Sequence, residues 1–274
     1  MRRLAHISDL HFGRADMAVA EALVDELNSM APDLIVASGD FTQGARSREF
    51  RQAAAFLKRL AAPVLAVVGN HDITPYHLLE RFLDPYARFR RYIQPGIEPV
   101  WQDDELIVIG INTARRMAPE LNWSYGRISQ GQMNGVERIL AAAPASLYRI
   151  VVGHHPFLPP AWDEDARVVM RAKRAIAVFE RAGVGLILSG HLHRGYSRFV
   201  KPEVVGEEVA GVKESSGATA SRRLMVVQAG SAISTRLRGE PNAFNVITIA
   251  RGRATVEPRL WNGAAWGPSA AGAQ

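Results

Sequence analysis

The stretch Val184-Gly-Leu-Ile-Leu-Ser-Gly-His-Leu-His193 carries an apolar run straight into two histidines one residue apart. Four other places share that form. Asp9-Leu-His11 follows Leu4 to Ser8, Gly39-Asp40 follows Leu34 to Ser38, Gly69-Asn-His-Asp72 follows Val64 to Val68, and Gly153-His-His-Pro156 follows Tyr148 to Val152. His11, His71, His154, His191 and His193 all sit in these motifs. Carboxylates, imidazoles and one amide make a borderline-hard donor set, suited to Mn²⁺, Fe or Zn²⁺ and not to thiolate-preferring metals. The motifs hold seven candidate ligands, too many for one ion that must also bind water and substrate, so two ions sharing a bridging carboxylate are the natural partition.

Each of the five apolar runs reads as a buried strand. Segments of helical period, Met17 to Met30 and Ser47 to Leu60, separate the first three, as in βαβ units with a parallel sheet. In open α/β sheets the binding crevice lies beyond the carboxyl ends of the strands, which would bring these distant residues together. Asp-x-His and His-x-His are expected to project to one side, because positions i and i+2 share a face of an extended chain. The glycines let each strand turn sharply and bring backbone near a ligand. Helical patterns also cover Pro75 to Tyr92, Ser129 to Ala142 and Ala166 to Arg181, and Leu106 to Ile111 is a further strand. After residue 195 the runs 223–228, 244–249 and 254–261 are β-like and suggest a second sheet. No linker is evident, so residues 1–261 read as one domain, with an irregular hairpin or mobile loop at 201–221 and a poorly ordered tail at 262–274.

The 274 residues are 47% hydrophobic, enough for a sizeable core, and no run approaches a membrane span. With no cysteine there is neither a disulfide framework nor a thiolate site, which fits a reducing cytoplasm. A signal peptide at the N-terminus would remove Asp9 and His11 on cleavage, so none is read there and a cytoplasmic location is expected. A net charge of +6 favours anionic partners such as phosphate esters, with arginine pairs at Arg115-Arg116 and Arg222-Arg223.

The ordered set Asp-x-His, Gly-Asp, Gly-Asn-His-Asp, Gly-His-x-Pro and Gly-His-x-His, spanning residues 4 to 193, resembles the calcineurin-like metallophosphoesterase superfamily. Within it, Gly-Asn-His-Asp with His-His-Pro is most similar to the bacterial class III cyclic nucleotide phosphodiesterases. The resemblance implies an α/β fold, a four-layer α/β/β/α sandwich of two mixed sheets, with a dimetal centre between them. It implies that Asp9, His11, Asp40 and His193 hold one ion and that Asp40, Asn70, His154 and His191 hold the other, Asp40 bridging. The ions would be Mn, Fe or Zn. His71 would steady the phosphoryl oxygen or protonate the leaving group, oriented by Asp72; alternatively Asp72 caps a helix starting near Thr74-Pro75. His155 is left as a supporting or substrate-facing residue.

The function so implied is hydrolysis of a small, cyclic nucleotide-like phosphodiester by in-line attack of a metal-bridging hydroxide. Alternatives are a pyrophosphatase of a nucleotide-sugar lipid, or a nuclease; no capping domain of the expected length is evident, so no stable nucleic-acid partner is expected. Residues 75–92, dense in aromatics and arginine, are either a substrate lid or an ordinary amphipathic helix capping the sandwich. Arg115 and Arg116, at a further strand end, are candidate substrate contacts. Ser234 to Asn242 is either a rim loop or a structural turn, and a homo-oligomer is a possibility the resemblance leaves open.

Overall fold

The computed structural model describes residues 1–75, 77–115, 124–201 and 223–268. The chain forms β1 (Arg2–Ile7), α1 (Met17–Met30), β2 (Leu34–Ala37), α2 (Ser47–Leu57), β3 (Val64–Ala66), α3 (Leu78–Leu83) and α4 (Ala87–Tyr92). There follow β4 (Val100–Gln102), β5 (Leu106–Gly110), α5 (Gln130–Ala142), β6 (Tyr148–Val152), α6 (Ala172–Arg181) and β7 (Val184–Ser189). The last described strands are β8 (Tyr196–Phe199), β9 (Met225–Gln228), β10 (Ala243–Ala250), β11 (Arg253–Trp261) and β12 (Trp266–Pro268).

Two six-stranded sheets result, ordered β12-β11-β10-β1-β2-β3 and β4-β5-β6-β7-β9-β8. Strands β1, β2 and β3 run parallel, as do β5, β6, β7 and β9, and antiparallel strands flank both groups. The period of two sends alternate residues to opposite layers. Leu34 and Val36 of β2 meet Ile150 and Val152 of β6 and Leu186 and Leu188 of β7 between the sheets. Ile35 and Ala37 turn outward, onto Leu23 and Leu27 of α1 and Phe50 and Phe56 of α2. On the far side Val151 and Ile187 pack with Met133 and Val136 of α5 and Ile176 and Phe179 of α6. The molecule is therefore a four-layer α/β/β/α sandwich, as the family resemblance implies.

Several expectations need correction. The second sheet is not assembled from the strands after residue 195: β10 to β12 join β1, while β8 and β9 extend β7. The helical pattern at 75–92 is two short helices, because Pro85 lacks an amide proton and its ring disfavours helical backbone at Asp84, where φ is −150°. The pattern from Ala166 is helical only from Ala172. The tail does not begin at 262: the chain turns back and β12 pairs with β11, anchored by Trp266 against Phe244 and Trp261. Residues 202–221 of the expected hairpin or loop lie outside the described residues, as do 269–274. Among the described residues no helix is long and apolar enough to cross a membrane.

Candidate dimetal site

The carboxyl ends of β1, β2 and β3 in one sheet and of β6 and β7 in the other deliver all seven expected ligands to one region. They do so from turns and not from extended strand. Asp9 (φ 54°), His11 (48°), Asp40 (55°), His191 (82°) and His193 (61°) occupy the left-handed region. Such residues cost on the order of 1 to 3 kcal/mol each and persist where surroundings over-determine them, commonly at functional sites. The shared-face argument for Asp-x-His and His-x-His is thus wrong in mechanism. His191 and His193 diverge to two different groups of ligands.

In the first group, His11 Nε2 lies 3.2 Å from His193 Nε2, and the two nitrogens are 3.7 and 3.4 Å from Asp9 Oδ1. His11 Nε2 is also 3.6 Å from Asp40 Oδ2. In the second, His154 Nε2 is 3.4 Å from that same Asp40 Oδ2 and 3.1 Å from Asn70 Oδ1, which His191 Nδ1 approaches at 3.0 Å. Asp40 Oδ2 therefore faces both groups. Each carboxylate spends one oxygen on the protein: Asp9 Oδ2 accepts the His191 amide at 2.9 Å and Asp40 Oδ1 accepts the His71 amide at 2.8 Å. The other oxygens, Asp9 Oδ1 and Asp40 Oδ2, are buried with no hydrogen-bond partner.

Buried carboxylate oxygens without partners are costly, and here they converge with the ring nitrogens of four histidines. His154 Nδ1–H donates to the Ser38 carbonyl at 2.8 Å, His193 Nδ1–H to the Arg236 carbonyl at 2.9 Å, and His11 Nδ1–H to the Thr42 carbonyl at 3.3 Å. Each such bond turns Nε2 inward, the arrangement that orients metal-ligating histidines. Donor chemistry and unsatisfied oxygens together fit two cations.

Charge reinforces this. Burial opposes ionisation of Asp40, yet His154 and His71 hold its carboxyl well below the ordinary range. Burial likewise disfavours charge on His154, but Asp40 outweighs it and pushes the pKa up to about 9. A proton held there marks a place where a cation is favoured. Burial dominates at His191 and brings its pKa down to about 3.

The remaining expected residues divide. The His71 ring stands edge-on to His11 at 4.8 Å, with Nδ1–H donating to the Gln43 carbonyl at 2.8 Å. Asp72 does not reach that ring. Its carboxylate accepts the Thr42 amide at 3.0 Å, the Thr42 hydroxyl at 3.1 Å and the Gly69 amide at 2.9 Å. It closes the 3-10 turn Asn70–Asp72, and α3 starts too late, at Leu78, for it to cap. Burial, with Asp40 nearby, raises its pKa to about 7.

His155 is buried, its ring nitrogens 2.7 Å from the Thr113 hydroxyl and 2.8 Å from the Ser124 carbonyl, and its ring lies 4.8 Å from that of His191, so it packs against the second ligand group. Arg115 Nε donates to the Tyr125 carbonyl at 3.1 Å and lines a cleft with Asp84, Tyr86 and Arg127; Arg116 lies outside the described residues. Three arginines of 75–92 are engaged locally, Arg81 with the Thr74 carbonyl, Arg88 with Glu80 and the Ala45 carbonyl, and Arg90 with Asp84. Sequence reasoning missed the site role of Arg236, whose Nη1 lies 3.3 Å from His71 Nε2 and 3.3 Å from Gln43 Oε1. Its signal was the segment Ser234 to Asn242, read as either a rim loop or a structural turn without singling out this residue.

A family model described as calcineurin-like phosphoesterase matches residues 2–195. The chain is 26% identical over 167 residues to the 3',5'-cyclic adenosine monophosphate phosphodiesterase CpdA of Escherichia coli, covering 59% of this chain and 54% of that protein. It is 39% identical over 80 residues to the glycerophosphodiester phosphodiesterase GpdQ of Enterobacter lignolyticus, 25% of this chain and 29% of that one. These matches span about half or less of the relatives' length. A dimetal phosphatase structure from Danio rerio superposes with a TM-score of 0.66 at 13% identity, over 94% of this chain and 96% of that one, a likeness of fold.

Proposed function

We propose that this chain, which belongs to the calcineurin-like phosphoesterase family, is a metal-dependent hydrolase of small phosphodiesters, with a cyclic nucleotide as the foremost substrate. The observation that carries the reading is the pair of unpartnered buried oxygens, Asp9 Oδ1 and Asp40 Oδ2, set among four inward-facing imidazoles and the Asn70 amide. Asp9, His11, Asp40 and His193 would hold one cation, and Asp40, Asn70, His154 and His191 the other.

Two such cations supply Lewis acidity toward phosphoryl oxygens and bring a water's pKa toward neutrality. The chain's own residues do the rest. The backbone fixes the ligands before substrate arrives, so little reorganisation remains at the moment of reaction. His71, tethered at Nδ1, keeps its ring at the edge of the ligand cluster, where it contacts substrate. Asp72 acts through the 3-10 turn, holding Asn70 and His71 in place. Manganese and iron suit the donor set, and zinc also fits.

The diester preference rests on the relatives, which are named for a cyclic nucleotide in one case and a glycerophosphodiester in the other. The test is turnover by Mn²⁺-loaded protein on bis-p-nitrophenyl phosphate, p-nitrophenyl phosphate, cAMP, a glycerophosphodiester, a nucleotide-sugar lipid and DNA. Chelator-sensitive hydrolysis of diesters well above the monoester, with DNA untouched, is expected. No metal-dependent turnover on any of them would overturn the proposal.

A further inference from the structure

Arg236 lies in the loop between β9 and β10, and both its ends reach the site. Its carbonyl accepts the His193 Nδ1 proton at 2.9 Å, while its guanidinium lies 3.3 Å from His71 Nε2 and 3.3 Å from Gln43 Oε1. The backbone bond pins the loop to a ligand histidine, so the guanidinium is held beside the cluster.

Two features mark that cation as unspent. Among the described residues no carboxylate lies within ion-pair distance of Arg236, whereas nearby Arg194 pairs with Glu240 at 2.9 Å and Arg88 pairs with Glu80 at 2.5 Å. Its contacts are with neutral acceptors on one nitrogen, and a guanidinium carries five N–H donors in a fork that suits phosphate oxygens. The Gln43 carbonyl can only accept, so His71 carries its proton on Nδ1; the Arg236 N–H can only donate, so it meets the bare Nε2 of that ring.

We infer that Arg236 is a substrate-binding residue, its guanidinium clamping a non-bridging oxygen of the phosphoryl group on the His71 side of the site. The inference rests on the phosphoesterase reading and assigns to that site a cation from outside its sequence motifs. A rim loop fastened to His193 at one end and presenting a guanidinium to His71 at the other forms this clamp without a moving lid.

Inorganic phosphate titrated calorimetrically into Mn²⁺-loaded wild type, Arg236→Ala and Arg236→Lys is the test. The main-chain carbonyl that holds His193 survives both changes, so full ion loading is expected in all three. Hydrogen bonds to charged groups are large enough for the Ala variant to bind phosphate about 10- to 100-fold more weakly, with Lys intermediate and millimolar guanidinium restoring diester turnover to Ala. Equal phosphate affinity in wild type and Ala, or loss of ions from both variants, would overturn the clamp. Arg236-dependent phosphate binding without diester hydrolysis by wild type would leave the clamp standing and overturn the diesterase proposal instead. Diester hydrolysis with phosphate binding indifferent to Arg236 would do the reverse.

Discussion

Three imidazoles at the site take their orientation from main-chain carbonyls within six residues of chain: Ser38 holds His154, Thr42 holds His11 and Gln43 holds His71. Asp40 sits in the middle of that segment with one oxygen facing both ligand groups. Side-chain identity gave away Asp40 and the histidines, but a carbonyl has no sequence signature, and the supporting roles of Thr42, Gln43 and Arg236 were invisible for that reason. Asp72 was misassigned because proximity in sequence to His71 says nothing of where its carboxylate turns. If Asp40 is shared, Asp40→Asn should keep the fold and lose at least one of two Mn²⁺ per chain by elemental analysis; unchanged two-ion stoichiometry contradicts the bridge.

His6, below the site, makes a different prediction. Burial brings its pKa from 6.5 down to about 3, with Nε2 on the Ser38 hydroxyl at 2.9 Å. The folded protein keeps it neutral while the unfolded chain protonates below 6.5, so stability is full above that pH and falls as pH drops from 6.5 toward 3. One proton corresponds to about 1.4 kcal/mol per pH unit. Urea unfolding of metal-free protein between pH 7 and 5 should show a shallower slope in His6→Gln than in wild type; identical slopes would contradict this.

At the scale of elements, long periodic segments were legible and short edge pieces were not. Helix α1 runs over its expected bounds, with Asp16 accepting the Ala18 amide at 2.9 Å as its cap. Strands β4, β8 and β12 are only three or four residues, half exposed, with no continuous apolar run to announce them. The glycines of the motifs were read as serving both sharp turns and close approach, and Gly69 and Gly190 illustrate the second role. A Cβ on Gly190 would lie 1.8 Å from Ser8 Oγ and 2.7 Å from Asp9 Oδ2; one on Gly69 would lie 2.1 Å from Asp40 Oδ1. Overpacking of this kind costs about 1 to 3 kcal/mol. Gly69→Ala and Gly190→Ala should lower the urea midpoint and weaken Mn²⁺ binding, while Gly96→Ala, with open space around it, should do neither. Wild-type metal affinity in the first two would contradict the packing argument.

For the whole molecule, the family resemblance implied two sheets and four layers, but the membership of the sheets depends on pairings that local pattern does not carry. Strand β10 pairs with β1 from the opposite end of the chain, matching Leu4 to Ile247, and so closes the sheet that positions Asp9 and Asp40. The two sheets meet through an apolar layer in which Leu188 is fully buried. Truncating it leaves a cavity that costs about 2 to 5 kcal/mol. Leu188→Ala should shift the urea midpoint accordingly, and a shift under about 1 kcal/mol would mean the layer is not close-packed.

The central claim is that residues from both sheets hold two cations around Asp40. Crystals grown with Mn²⁺ and measured at the manganese absorption edge test it most directly. Two anomalous peaks are predicted, one among Asp9, His11, Asp40 and His193, the other among Asp40, Asn70, His154 and His191. No peak at these residues, or a single one that leaves Asp40 uncoordinated, would contradict it.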